Sequence, residues 1–215
     1  MASHSAQAHQ PARAAAFLLV VCLTAATGCR PAGPDIAHAD RPRDPSPGAT
    51  ASDQAAVSGG NNAFAFGLYQ AVRPAEGNLF FSPYSLSTAL AMTYAGARGD
   101  TERQMAATLH FALPQAQLHP AFNALDLALT GAGQAGPAQA QADFQLRIAN
   151  AVWAQSNYEF KPDYLGVLAQ NYGAGVGLLD FASDGARERA RRTINDWVSD
   201  QAEGKIKDLM VKRAV

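Results

Sequence analysis

Ser82 and Ser85 are the hydroxyls whose placement says most in this sequence, because Ser82 stands directly before Pro83 and Ser85 follows within one helical turn. A serine before a proline reads as a helix cap followed by a first-turn residue that needs no amide donor. Ser85 can then bond within that turn, so both hydroxyls have hydrogen-bonding roles without any catalysis. A catalytic reading finds little else. No nucleophile-elbow glycines flank any serine, and His4, His9, His38, His110 and His119 show no paired metal-ligand spacing. Gly204-Lys205 lacks the upstream glycine and the following hydroxyl of a phosphate-binding loop. Gly173, Gly175 and Gly177 fail the dinucleotide-binding spacing and lead into Val176, Leu178, Leu179 and Phe181, which reads as a turn and a strand entry. The expectation is a protein that is not an enzyme, with no cofactor and no metal.

The elements that position the two serines lie in the same stretch. Asn78 to Phe81 is a short apolar run of strand type, and a helix is expected from Ser82. From Tyr84 to Ala95 only Ser85, Ser87, Thr88 and Thr93 interrupt Leu, Ala, Met and Tyr, which predicts a core helix enclosed on nearly every side. Gly96 and Gly99 should end it, with Asp100 or Thr101 capping a second helix through Gln104 to about Phe111. Farther on, Phe144, Leu146 and Ile148 alternate with Gln145 and Arg147, the period of a strand with one buried face. Lys161-Pro162 starts another helix whose inner face is Tyr164, Leu165 and Leu168.

The N-terminal part reads differently. Arg13 precedes the apolar run Ala14 to Ala26, long enough for an export-signal core and too short to span a membrane. The run ends in Ala26-Thr27-Gly28-Cys29, which resembles a bacterial lipoprotein processing site with Cys29 as the lipid attachment residue; ordinary signal cleavage is the alternative. Residues 1–29 are therefore expected to be a signal peptide. Residues 30–60, rich in Pro, Ala, Gly, Ser and Asp, are expected to be a flexible tether that cannot bury enough apolar surface to order itself. Residues 61–215 form the folded domain, which lacks cysteine because Cys22 and Cys29 are the only two. A 48% hydrophobic content with 16% charged residues fits a large core. A net charge of -1 gives no field for nucleic acid, and the cluster Arg187, Arg189, Arg191 and Arg192 is expected to be a solvated helix face.

The residues Asn78, Ser82, Pro83, Ser85, Ala89, Gly96, Ala97, Gly99, Thr101 and Gln104 together resemble the helix B and helix C signature of the serpins, the serine protease inhibitor family. Leu146 to Phe181 is similar to the serpin succession of strand 2A, helix E and strand 1A, and Thr193 to Leu209 to the end of helix F. Asn62, Phe64 and Ala65 fit helix A, whereas Ala202 departs from the family's usual threonine at a helix end.

The resemblance implies an α+β fold: the N-terminal part of a serpin domain, helices A to F with strands 6B, 2A and 1A, the C-terminal strands and reactive loop being absent before Val215. It implies that the intact protein inhibits serine, or less often cysteine, proteases. A protease attacks the exposed loop, an acyl-enzyme forms, and the cleaved loop enters the main sheet as a new strand. Ser82 and Ser85 correspond to the helix B serines of the shutter, where the sheet opens. A polysaccharide site of the heparin type on helix D is not supported, since residues 120–141 contain Asp126 and no Lys or Arg. The expected location is extracytoplasmic, secreted or held to a membrane only through the Cys29 lipid. Two alternatives stand beside this reading: a non-inhibitory binding or structural lipoprotein using part of the fold, and a truncated, inactive product.

Overall fold

The computed structural model describes residues 34–74, 76–132 and 147–212. Cys29 and the proposed leader lie outside them. Among the described residues the elements run β1 (Asp35–Ala37), α1 (Ala51–Val72), α2 (Pro83–Tyr94), α3 (Gly99–Leu109), α4 (Gln115–Ala132), β2 (Val152–Gln155), α5 (Pro162–Tyr172), β3 (Val176–Leu179) and α6 (Asp184–Gln201).

Helix starts follow local chemistry. Thr50 and Asp53 form a reciprocal cap at α1, with Asp53 N donating to Thr50 Oγ1 at 3.1 Å and Thr50 N donating to Asp53 Oδ2 at 3.0 Å. The Thr50 hydroxyl, donating to Asp53 Oδ2 at 2.7 Å, and then the Thr50 amide hold the Asp53 carboxyl below its ordinary value. Ser82 caps α2 and Ser183 caps α6, each accepting from an amide three residues on. Pro162 opens α5, and Gly173 closes it in the left-handed conformation at φ 60. Gly99, at φ +62, breaks the chain between α2 and α3, while Gly96 is not left-handed. The expected Asp100 or Thr101 cap is not used: Arg98 is the N-cap of α3 and makes no capping bond with its side chain. Its guanidinium instead donates back to the carbonyls of Ala95 and Ala97 at the end of α2, where a cation is favoured.

The helices meet around Val57, Ala91, Tyr94, Ala97, Leu118, Ala121 and Phe122, and a second cluster of Met92, Leu168 and Val176 joins α2 and α5 to the sheet. Burying each large side chain here contributes ~2 kcal/mol. Edge-on rings stitch the first cluster, Tyr94 to Phe111 at 5.3 Å and Phe111 to Phe122 at 5.7 Å. The sheet has the order β1-β3-β2, with β2 parallel to β3 and β1 antiparallel on its other edge.

Further expectations need correction. Residues 34–60 are not a tether throughout: β1 pairs with β3, and α1 begins at Ala51, ten residues before the expected boundary at 61. Composition measures what a segment buries by itself, whereas here ordering comes from backbone pairing and a capping box. The run 78–81 forms no strand, because no neighbouring backbone pairs with it, and Phe80 is 97% exposed. Helix α2 is not enclosed on nearly every side: Ser87, Thr88, Ala91, Met92 and Tyr94 are buried, while Leu86, Leu90 and Thr93 face outward. The strand expected from Phe144 lies partly outside the described residues; residues 147–151 are not strand, and β2 starts at Val152.

The arginines of α6 also divide. Arg189 and Arg192 are exposed, but Arg191 is 8% exposed, grips Glu188 through two bonds and donates to Met210 O at 2.8 Å. Asn195 completes this clamp by exchanging two hydrogen bonds with the Met210 backbone.

Candidate functional site

The start of α2 carries both serines singled out by the sequence. Ser82 Oγ accepts from Ser85 N at 3.3 Å and donates to Ser85 Oγ at 3.0 Å, so the two hydroxyls form one local pair. Ser82 is exposed and Ser85 half-buried. Ser85 opens onto a cavity of ≈ 620 Å³ whose other walls include Ile148, Trp153, Ile194, Trp197 and Leu209. Trp153 meets Trp197 edge-on at 5.8 Å, and together they also line a second space of ≈ 380 Å³ reaching Thr88, Met92 and Phe122. A mobile hydroxyl facing this apolar space can donate or accept without rearranging the backbone.

Two residues after Ser85, Ser87 is fully buried and its hydroxyl has no hydrogen-bond partner among the described residues. Such a group is costly unless a partner arrives. Sequence reading took Ser87 only as a small interruption.

Beside these hydroxyls lies a polar relay that the sequence reading missed. Tyr84 donates to Asp126 Oδ1 at 3.2 Å, and Asp126 Oδ2 accepts from Arg43 Nη2 at 2.8 Å. Arg43 Nε donates to Asn123 Oδ1 at 2.8 Å. Burial, then the negative charge of Asp126, push the Tyr84 phenol far above its ordinary value, so it remains a donor. The available signal was Asp126 itself, the one Asp, Glu, Lys or Arg in α4. A lone carboxylate on an apolar helix needs a partner.

His119 is buried in the same layer, its Nδ1 2.7 Å from Tyr172 Oη. Loss of solvent, then repulsion from Arg98, pull its pKa from 6.5 down to about 4. It is a neutral core histidine that contacts a tyrosine and not a serine. Among the described residues no three His, Cys, Asp or Glu side chains are grouped to hold a metal ion, and no helix is long and apolar enough to cross a membrane. The arrangement offers hydrogen-bond donors and a cavity beside a short sheet.

Comparison with known proteins sets this geometry in context. Residues 59–215 match the family model described as Serpin (serine protease inhibitor). The leukocyte elastase inhibitor of Sus scrofa is 37% identical over 161 residues, covering 74% of this chain and 40% of the relative. The leukocyte elastase inhibitor of Homo sapiens is 36% identical over 162 residues, again 74% of this chain and 40% of the relative. Thus the chain spans about two fifths of the length of the curated relatives it matches. Among solved structures, a cleaved serpin named 42Da superposes with TM-score 0.57 at 26% identity, covering 75% of this chain and 39% of that one. Ovalbumin from emu (Dromaius novaehollandiae) superposes with TM-score 0.59 at 21% identity, covering 74% and 43%, a likeness of fold alone.

Proposed function

Because the chain belongs to the serpin family, we propose that the intact protein is an inhibitor of serine proteases that acts once, by inserting its cleaved loop into the main sheet. What carries the proposal is that Ser82 and Ser85, with the cavity beneath Ser85, lie inside the matched region 59–215. In this reading α1 to α6 are helices A to F, and β2 and β3 are strands 2A and 1A. The protease serine attacks a loop carbonyl, the amine leaves, and the acyl-enzyme is carried away with the inserting strand. Helix α2 supports the place where the sheet must part. Its first-turn hydroxyls and the buried Ser87 hydroxyl are donors that can exchange partners as strands move over them.

The Cys29 lipid would hold the domain outside the cytoplasm and near a membrane, where a soluble protease is met. Leukocyte elastase inhibitors among the relatives make elastase-type serine proteases the first targets to try.

The test is to express the open reading frame that carries these 215 residues through to its stop codon, and to incubate the product with elastase, chymotrypsin and trypsin. A covalent complex stable to boiling in detergent is expected with at least one of them. Residues 1–215 produced as a separate polypeptide should give none. Cleavage of the longer product without any complex would overturn inhibition and favour a non-inhibitory binding protein.

A further inference from the structure

The segment that composition presents as linker is bound to the domain at three successive levels. At the sheet, Asp35, Ile36 and Ala37 pair antiparallel with Leu178, Gly177 and Val176, closing the edge of β3 that faces away from β2. At the last turn of α5, Asp44 N donates to Gln170 O at 2.9 Å, while Asn123 Nδ2 donates to Asp44 O at 2.8 Å. At α4, Arg43 is held by Asn123 and Asp126. Asn123 is fully buried, so its side chain is spent entirely on joining this segment to α5.

The receiving surface is shaped for the segment. A Cβ on Gly175 would sit 2.7 Å from Ala37 O and from Ile36 Cγ2, and one on Gly173 would sit 3.2 Å from Arg43 Cδ. Both glycines are thus places where the domain yields room to this backbone. Residues 35–44 precede the matched family region, which begins at 59, while Asn123, Asp126, Gly173 and Gly175 fall within it.

We propose that residues 35–44 are an intramolecular ligand of the domain, held in a site that takes a short extended strand followed by an arginine, and that the same segment supplied by a second copy of this chain can occupy that site. Its effect is to keep the β3 edge from pairing with other chains. The recognition elements are the β3 backbone for the strand, and Asn123 with Asp126 for a guanidinium that presents several donors in a fixed plane. This proposal does not depend on protease inhibition.

The strands themselves provide the readout. In β3 successive amides point alternately toward β1 and β2. In the full chain carrying Arg43→Met, the amides facing β1 should exchange with solvent at least tenfold faster, while those facing β2 change less than twofold. Gly175→Val, which acts from the receiving side, should give the same pattern. A synthetic peptide of residues 34–48 added to either released chain separates the two sides: it should restore protection to Arg43→Met, and its Arg43→Met version should bind at least tenfold more weakly. Unchanged exchange, equal acceleration of both amide sets, or no peptide binding would overturn the proposal. If both variants fail to fold, native-state exchange of the unaltered chain decides. The β1-facing amides must then open at lower denaturant than the β2-facing ones, and identical opening overturns it.

Discussion

His119 shows how one side chain ties packing to solution behaviour. Its ring is enclosed by Tyr94 and Tyr172, and its folded pKa lies near about 4 against 6.5 in the open chain. The unfolded state therefore binds the proton first as pH falls, and linkage makes stability drop between pH 6.5 and about 4. The stability carried by the neutral ring is complete above that window. At ~1.4 kcal/mol per unit the loss amounts to about 3 kcal/mol by the lower end. His119→Gln keeps a group able to bond Tyr172 but removes the titration. Thermal unfolding followed at pH 7 and pH 4.5 should show a much smaller downward shift for that variant than for the parent chain. An equal shift would place the acid sensitivity elsewhere. In the sequence His119 stands out only as a near neighbour of His110, because burial and the Tyr172 contact come from a helix 53 residues away.

Among the elements, the parallel pair β2–β3 depends on a close approach. Trp153 lies across Gly177 on the adjacent strand, where any Cβ would overlap the indole ring. Trp197 of α6 then packs edge-on against the same indole. Gly177→Ala should push Trp153 out of this position and cost about 1–3 kcal/mol, the usual penalty for overfilling a packed site. A changed near-UV tryptophan signal with a lowered unfolding midpoint is the expected result; an unaltered near-UV spectrum would show that the indole has room to spare. Sequence reading placed β3 and its glycine run correctly as a turn and strand entry. The reason for Gly177 stayed hidden, since it belongs to a partner strand reached through α5. Helix starts at Ser82 and Pro162 were legible because a cap involves residues three apart. The missing strand at 78–81 was not, because strand formation needs a partner that local sequence does not name.

For the whole molecule, the main asymmetry is between the buried apolar clusters and the apolar side chains left outward. Phe66 and Tyr69 on α1, Phe80 in the link, and Leu86 and Leu90 on α2 are all exposed, and α1 packs against α2. Outward apolar groups of this size favour association. Residues 1–215 produced as a separate polypeptide should therefore sediment above monomer mass at micromolar concentration. The pair Phe66→Ser and Phe80→Ser should move the distribution toward monomer without lowering the unfolding midpoint by more than about 0.5 kcal/mol in equivalent stability, as expected for surface sites. Sedimentation unchanged by the pair would point to a different contact, such as the edge of β2 that faces away from β3.

Some of this protein was decided by the chain alone. Its helix caps, its glycine stops, its apolar content and the motif from Asn78 to Met105 are local or compositional, so they can be read without knowing what lies nearby. They were enough to indicate the family and to place Ser82 at the cap of α2 with Ser85 in its first turn. Tertiary structure alone decided that Arg43 reaches Asp126 across 83 residues, that Ser87 is buried without a partner among the described residues, and that a linker-like segment becomes the third strand of a sheet. For Arg43 and the linker-like segment the physical reason is the same. A segment poor in apolar side chains orders only when another surface offers backbone pairing and a counter-charge, and that surface is assembled from residues far along the chain.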